Sequence, residues 1–312
     1  MRRLWSMLVA LAVTVPAYAA EKTYDLKPRA IAADTWVIEG TTDNFSQENG
    51  GDIVNTAFIV TQTGVIVIDT GSTRRYGEAL RAAIARITPQ PIALVINTHH
   101  HPDHVFGNQA FADVPIAALA HSHELLAEQG AAFSDNLYRL LGDWMRGTEV
   151  RLPDQTLTPG VRDIGGHRLR IMALGGHTGA DLVLLDETSG VLFPADLVFY
   201  QRALTTPQSP GLDRWLADID TLEQLPFRVL VPGHGPVTTD HRALAQMRAY
   251  LTWLDRLLRT SAQAGLDMNE VMQAPIPDEF ATISLTRFEL VRSVTHLYPR
   301  YEAQFFQKLS AH

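Results

Sequence analysis

The chain of 312 residues contains no cysteine. This absence excludes disulfide bonds, thiolate metal sites and a cysteine nucleophile. A bound metal ion would have to be held by nitrogen and oxygen ligands, and stability would have to come from the core. The apolar fraction of 46% is sufficient for one large hydrophobic core.

The sequence also lacks basic runs and any apolar run long enough to cross a membrane. Its formal net charge is −8, so nucleic acid is not expected as a partner. The apolar run from Leu4 to Val15 falls short of the roughly 20 residues that a membrane span needs. Arg2 and Arg3 precede this run and Ala17-Tyr18-Ala19 follows it, a pattern typical of a secretory signal peptide. We therefore predict a signal peptide over residues 1–20 and a periplasmic mature protein with no stable membrane insertion.

Apolar strands alternate with helical segments along the rest of the chain. The predicted strands cover residues 57–61, 65–69, 92–97, 115–120, 168–173, 182–185, 191–194 and 229–231. The predicted helices cover residues 73–87, 121–145, 212–225 and 240–260. Two groups of strands with intervening helices indicate an α/β protein in which two sheets pack together and helices cover the outer faces. We assign residues 21–260 to one domain and residues 261–312 to a helical C-terminal extension packed on it, whose role the sequence leaves open.

A histidine cluster at the end of a buried strand is the strongest functional signal. The strand is followed directly by His99-His100-His101-Pro102-Asp103-His104. Alternate residues of an extended segment project to the same side, so His99 and His101 are able to share one metal ion, whereas His100 points away. Asp103 and His104, in the turn that follows, are placed to reach a second ion. Several convergent nitrogen and oxygen ligands are what a divalent first-row metal requires.

Three further segments place a polar ligand near the end of an apolar strand, and in two of them the ligand stands beside a glycine. They are Gly175-Gly176-His177-Thr178-Gly179, Pro194-Ala195-Asp196-Leu197 and Pro232-Gly233-His234-Gly235-Pro236. Glycine allows the backbone to turn sharply and to approach a site closely. The four segments together predict a dinuclear metal site.

These four segments, in this order, resemble the metallo-beta-lactamase superfamily over about Asn55 to Pro236. The resemblance implies a four-layer αβ/βα sandwich with the metal ions in a cleft at the edges of the two sheets. It implies that the first ion is bound by His99, His101 and His177, and the second by Asp103, His104 and His234. Asp196 would bridge the two ions. Asp69 matches an acidic position that orients the ligand loop and does not bind metal. In one departure, Gly179 follows Thr178 directly, where many members have a proline.

The identity of two ligands limits which branches of the family the chain resembles. His rather than Glu at position 101 differs from the di-iron oxidoreductases, and Asp rather than Cys at position 196 differs from the β-lactamases that use a thiolate. The bridging carboxylate is similar to that of glyoxalase II and related ester, thioester and lactone hydrolases. The leader and the Asn49-Gly50-Gly51-Asp52 loop are similar to periplasmic zinc metallohydrolases associated with quinoprotein dehydrogenases and sulfur oxidation. This likeness implies a functional association with such a dehydrogenase system.

The predicted function is hydrolysis of an ester, thioester or lactone of a small molecule, with two Zn²⁺ ions per chain. A metal-bound hydroxide would attack the carbonyl, and Asp103 would position this nucleophile. Three alternatives stay open: a β-lactam hydrolase, a persulfide dioxygenase with one iron ion, and a metal-containing binding protein without catalysis. The sequence does not identify the substrate.

Several other polar segments are more typical of surface or core than of a site. His121, His123, His167, His241, His296 and His312 are isolated from the four segments. Tyr200 and Arg202, just beyond Asp196, are assigned to packing rather than to substrate contact. The Asp43–Asp52 loop is interpreted as a solvent-exposed turn.

Overall fold

The computed structural model describes residues 22–310, and side chains as far as residue 307. The predicted signal peptide, residues 1–20, lies outside the described residues, as does His312. Among the described residues, no helix is both long and apolar enough to span a membrane.

The first sheet has seven strands whose spatial order follows the chain. Its strands are β1 (Arg29–Ala32), β2 (Thr35–Ile38), β3 (Thr56–Thr61), β4 (Gly64–Ile68), β5 (Ile92–Ile96), β6 (Ile116–Leu119) and β7 (Gln155–Leu157). β1 to β4 are antiparallel neighbours, and β4 to β7 pair in parallel. The predicted hairpin is β3–β4, with Thr61 opposite Gly64.

The second sheet has five strands in the order β12-β11-β10-β9-β8. Its strands are β8 (Gly160–Ile164), β9 (His167–Leu174), β10 (Asp181–Asp186), β11 (Val191–Phe199) and β12 (Val229–His234). Only the β11–β12 pair is parallel. β11 continues five residues beyond the predicted strand end at Pro194, and its register shifts on either side of Ala195.

A hydrophobic layer joins the two sheets. Ile66 and Ile68 of β4 face Leu182 and Leu184 of β10 within one buried cluster. The alternate residues Val65 and Val67 belong to a different cluster on the outer face of the first sheet. Successive strand residues point to opposite faces, so this alternation buries both faces of the sheet and produces the predicted layered sandwich.

Helices cover both outer faces. The helices are α1 (Arg74–Ile87), α2 (Pro102–Val105), α3 (Ala120–Leu141), α4 (Leu212–Glu223), α5 (Arg242–Ala264), α6 (Met268–Met272), α7 (Asp278–Ala281) and α8 (Thr286–Ser310). Tyr76 and Leu80 of α1 pack on the first sheet, whereas Trp215 of α4 and Leu251 of α5 pack on the second. The order of layers is therefore helix, sheet, sheet, helix.

The C-terminal helices share the core of the second sheet. Val271, Phe280, Leu290 and Val294 are buried in the same cluster as α4 and α5. Tyr298 of α8 donates a hydrogen bond to the Leu266 carbonyl at 2.7 Å. The helical extension therefore forms part of the outer layer on this side of the sandwich.

Candidate metal centre

The four ligand segments converge at one edge of the sandwich. His99 and His101 follow β5, and His177 follows β9. Asp196 lies within β11, and His234 is the last residue of β12. Asp196 was expected at a strand end and instead lies at the irregularity in β11, directly after Ala195, which has a φ of 49°. This left-handed backbone, uncommon for alanine, lets the strand continue beyond the carboxylate.

The first group of donor atoms consists of His99, His101, His177 and Asp196, which are all buried and lie within 4.8 Å of one another. His101 Nδ1 lies 2.9 Å from His177 Nε2. Asp196 Oδ2 lies 3.4 Å from His177 Nε2 and 3.9 Å from His99 Nε2. The structure therefore brings together the ligand set implied for the first ion.

The second group consists of Asp103, His104 and His234, which are also buried and within 4.8 Å of one another. Asp103 Oδ2 lies 3.2 Å from His234 Nε2 and 3.9 Å from His104 Nε2. Asp103 and His104 belong to the short helix α2, which begins directly after His101. This single helical turn thus orients both side chains toward His234, the third member of the second group.

Asp196 contacts both groups. Its Oδ2 lies 3.4 Å from His234 Nε2 and 3.4 Å from His177 Nε2, and its Oδ1 lies 3.1 Å from His104 Nε2. A carboxylate in contact with donors of both groups has the geometry expected of a bridging ligand.

Buried polar atoms without hydrogen-bond partners indicate that the donor set fits metal ions. His99 Nε2 is such an atom, and His104 Nε2 and Asp196 Oδ1, although they lie 3.1 Å apart, are not paired by a hydrogen bond. An unsatisfied buried polar atom is costly, and a cation at the centre of each group would satisfy it. Histidine nitrogens and carboxylate oxygens are also the ligands that bind zinc in proteins that use no thiolate.

The protonation states of five of the seven donors favour metal binding. Burial lowers the pKa of His99, His101 and His177, which keeps these rings neutral and able to donate a lone pair. Burial by itself raises the pKa of Asp103 and Asp196, but the neighbouring His104 and His234 lower it below the usual value. Both carboxylates are therefore ionised at neutral pH, as metal ligands must be.

Asp69 orients the cluster without joining either donor group. Its Oδ1 accepts a hydrogen bond from the Thr98 backbone N–H at 2.8 Å, and its Oδ2 accepts one from the Thr98 hydroxyl at 2.7 Å. His104 Nδ1 also lies 2.7 Å from Asp69 Oδ2. With Nδ1 occupied in this way, the Nε2 of His104 faces the second group, which is the orienting position that the resemblance implies for Asp69.

Other buried polar residues, which the sequence analysis did not identify, hold the ligand loops. Asp181 accepts hydrogen bonds from the backbone N–H groups of His177 and Thr178 at 2.9 and 3.0 Å. Asn55 donates to the carbonyls of Pro232 and Gly235 at 2.8 and 2.7 Å. In the sequence, these two residues are marked only as an acid and an amide beside an apolar strand. Acids and amides are also common at such positions in ordinary turns.

The loop after His177 explains the missing proline. Gly179 has a φ of 82°, and its N–H donates to the Gly175 carbonyl at 3.1 Å. Proline is restricted to a φ near −65°, so the turn takes a path that a proline at position 179 could not follow. His177 nevertheless belongs to the first donor group.

His100 points away from both donor groups. Its Nε2 lies 3.4 Å from Gln129 Oε1, and its ring lies beside Phe133 of α3. His167 forms a buried pair with Asp186 at 2.8 Å, and His121 is exposed beside Glu124. None of these three side chains belongs to either donor group.

A cleft of about 370 Å³ opens over the metal centre. Its lining residues include the donors His101, Asp103, Asp196 and His234, together with Asn44, Phe45, Ile53, Phe133, Leu137, Leu140, Arg202, Thr205, Gln208, Phe288 and Arg292. One expectation from the sequence is wrong here: Arg202 lines the cleft and is not only a packing residue. Tyr200, in agreement with its assignment to packing, is not among the residues that line the cleft.

The Asp43–Asp52 loop is the second correction, because it is packed against the body of the protein and helps to line the cleft. The Gly50 carbonyl accepts a hydrogen bond from the Tyr24 hydroxyl at 2.7 Å, and the Gln47 carbonyl accepts one from the Trp144 indole at 3.0 Å. Phe45 lines the cleft. Hydrogen bonds to residues that are distant in the sequence therefore hold this loop against the body of the protein, where it forms part of the cleft wall.

Comparison with known proteins agrees with this architecture. The family model described as the metallo-beta-lactamase superfamily matches residues 49–234. Metallo-beta-lactamase domain-containing protein 1 of Mus musculus is 32% identical over 213 residues, which cover 64% of this chain and 70% of that protein. Residues 49–234, which the family model matches, contain all seven candidate ligands.

Two solved structures show similar folds. A metallo-beta-lactamase from Pontibacter korlensis has a TM-score of 0.60 and 25% identity, and covers 73% of this chain and 99% of its own. A double mutant of the sec-alkyl sulfatase PisA1 has a TM-score of 0.68 and 18% identity, and covers 88% of this chain and 50% of its own. The metal-binding geometry, the fold and these matches lead to one conclusion: the chain belongs to the metallo-beta-lactamase superfamily, whose members are generally metallohydrolases.

Proposed function

We propose that this protein is an exported dinuclear zinc hydrolase of ester, thioester or lactone bonds. The observation that carries the proposal is the position of Asp196, which lies between 3.1 and 3.4 Å from ring nitrogens of both donor groups. His99, His101 and His177 would hold one zinc ion, and Asp103, His104 and His234 the other, with Asp196 between them. When bound, the two ions would supply a water of lowered pKa and a Lewis acid for the carbonyl.

The side chains of the protein would then control the geometry of hydrolysis. The Asp103 carboxylate, which lines the cleft and is ionised, would accept a hydrogen bond from the attacking water and hold its proton. The water oxygen forms a bond to the acyl carbon, the bond from this carbon to the leaving oxygen or sulfur breaks, and the proton passes to the leaving group. These chemical steps require no serine or cysteine nucleophile.

Metal analysis and a substrate panel test the proposal together. We expect close to two zinc ions per chain and loss of turnover with a chelator. The panel contains a thioester, a lactone, an ester and a chromogenic β-lactam, and we expect turnover of at least one of the first three. His101→Gln should abolish this turnover, whereas His121→Gln, at an exposed site on α3, serves as the matched control.

The alternatives predict different results. One iron ion and no zinc would favour the persulfide dioxygenase, and turnover of the β-lactam alone would favour the β-lactam hydrolase. Two zinc ions without turnover of any member would favour a binding protein. Export to the periplasm and association with a quinoprotein dehydrogenase system stay predictions from the sequence.

A further inference from the structure

Two arginines and one glutamate form a charged group in the wall of the cleft. Arg202 follows β11, and Glu289 and Arg292 belong to α8. Arg202 Nη2 lies 3.5 Å from Glu289 Oε1, and Arg292 Nη1 lies 3.0 Å from the same oxygen. Arg202 and Arg292 line the cleft. Two cations share one carboxylate, so this part of the wall carries one positive charge in excess.

Arg202 is not fully satisfied by its protein neighbours. Its side chain is 4% exposed, and its Nε is a buried atom without a hydrogen-bond partner. Its Nη1 donates to the Ala203 carbonyl at 3.0 Å. A buried cation with an unused donor is costly unless an anion pairs with it. The Glu289 carboxylate is fully buried and accepts a hydrogen bond from the Thr205 hydroxyl at 2.9 Å. It also pairs with Arg292, so its charge is divided between the two arginines.

Stacked rings connect Arg202 to the metal centre. The Arg202 guanidinium lies 5.4 Å from the centre of the Phe199 ring. The Phe199 ring is stacked on His234, with 5.1 Å between ring centres and 1° between planes. The excess positive charge therefore lies beside the second donor group, within the length of a small substrate.

The remainder of the cleft wall is largely apolar. Phe133, Leu137 and Leu140 of α3 line it, together with Phe45 of the Asp43–Asp52 loop. At its mouth, Leu140 is 38% exposed and Phe288 of α8 is 44% exposed. Such exposed apolar side chains around a pocket are typical of ligand contact.

We propose that the substrate is an amphipathic monoanion, in which a carboxylate or similar anionic group binds between Arg202 and Arg292 and the apolar part lies along α3. This inference rests on the proposed hydrolase function and adds the class of substrate. The guanidinium groups present paired donors that fit a planar carboxylate. Arg202 lies within residues 49–234 matched by the family model, whereas Glu289 and Arg292 of α8 lie outside them, so the C-terminal extension supplies part of the subsite.

A pair of esters that differ in charge and by one methyl group tests the proposal. The anionic probe is the 4-nitrophenyl half-ester of glutaric acid, and the neutral probe is its methyl ester. We expect wild-type protein to prefer the anionic ester in kcat/KM, and Arg292→Gln to lower the ratio of anionic to neutral kcat/KM by ~10-fold, the effect of losing one charge-assisted hydrogen bond. Arg292→Lys should keep part of the preference, because it retains the charge but loses the paired donors.

The matched control is Arg287→Gln, also on α8. Arg287 donates to the carbonyls of Met272 and Ala274 and does not line the cleft, so the ratio should stay at the wild-type value. Equal rates for both esters in the wild type, or a ratio unchanged by Arg292→Gln, would overturn the anion subsite. Either result would leave hydrolysis itself established, which separates this failure from failure of the proposed function.

A binding measurement tests the subsite without turnover. We expect calorimetry to show that 4-phenylbutanoate binds the wild-type protein ~10-fold more tightly than 4-phenylbutanamide, and that Arg292→Gln removes most of this difference. A carboxylate held by the metal centre instead would keep its advantage in Arg292→Gln. That result, or no preference for the carboxylate in the wild type, would contradict the proposal.

Discussion

Asp69 Oδ2 lies 2.7 Å from His104 Nδ1, and both side chains are buried. The same carboxylate accepts two hydrogen bonds from Thr98, directly before His99. One acid directly after β4 therefore holds His104 of the second donor group and Thr98, the residue before His99 of the first group. Asp69 itself has a φ of 58°, a left-handed conformation in which Asp is one of the better tolerated residues.

We expect Asp69→Asn to weaken zinc binding although it removes no ligand. The amide keeps one acceptor oxygen and loses the negative charge. It can therefore accept a strong hydrogen bond from Thr98 or from His104, but not from both. Affinity should fall by roughly 10- to 100-fold, as for other residues that support metal ligands. Competition with a zinc-binding dye measures the change.

The chain offers a matched control for Asp69. Asp186 forms an equally buried pair with His167, at 2.8 Å, on β10 and β9 of the second sheet. Asp186→Asn should destabilise the fold without changing zinc affinity. Equal zinc affinity in wild type and Asp69→Asn would contradict the orienting role.

Asp196→Asn tests the bridging position. The amide keeps the shape of the side chain but loses one anionic oxygen, so it offsets less of the repulsion between two cations. We expect metal content to fall toward one ion per chain and turnover to fall by about 100-fold. Elemental analysis and a rate assay measure both. Retention of two zinc ions and the full rate would make the bridging assignment wrong.

The control for Asp196 is His100→Gln. His100 is buried beside the ligands, but its ring faces Gln129 and Phe133. We expect its metal content to match that of the wild type, with any effect confined to the melting temperature.

Gly233→Ala tests the metal site without altering a ligand. A Cβ at this position would collide with Asp196 Oδ1 and with the backbone of Ala195. Because the backbone leaves no space for it, the Asp196 carboxylate has to move from its place between the donor groups. We expect loss of metal and of most activity, measured by elemental analysis and turnover.

Gly265→Ala separates this effect from ordinary loss of stability. Gly265 ends α5 with a φ of 71°, and an added Cβ would meet no atom within 4 Å. Alanine is strained in this conformation, so Gly265→Ala should cost about 1 kcal/mol of folding stability and leave the metal content intact. Wild-type metal content in Gly233→Ala would show that Asp196 tolerates the displacement.

Export is tested on the mature N-terminus. Because Ala17-Tyr18-Ala19 fits a cleavage site, we expect periplasmic protein to begin at Ala20 or Glu21. Loss of Arg2 and Arg3 with the leader changes the formal charge from −8 to −10. Intact-mass spectrometry of a periplasmic fraction measures this directly, and an uncleaved leader on periplasmic material would contradict the prediction.

The sequence by itself determined the central strands, the major helices and the candidate ligands. Buried strands such as Ile92–Ile96 are visible as apolar runs, and the ligand segments follow or interrupt such runs. Strands β1, β2, β7 and β8 were not predicted; β2 is buried but only four residues long. β8 is almost entirely exposed, and β1 and β7 are short and have no buried residue, so no apolar pattern marks them.

Only the tertiary structure decided what surrounds the metal centre. Asp181 and Asn55 support the ligand loops through hydrogen bonds to backbone groups, and Arg202 meets Glu289 across 87 residues of sequence. The sequence marks such residues only as polar positions. Whether a polar side chain faces solvent, supports a loop or lines a cleft depends on which distant elements pack beside it, because hydrogen bonds and ion pairs act over a few ångströms of space, whatever the separation along the chain.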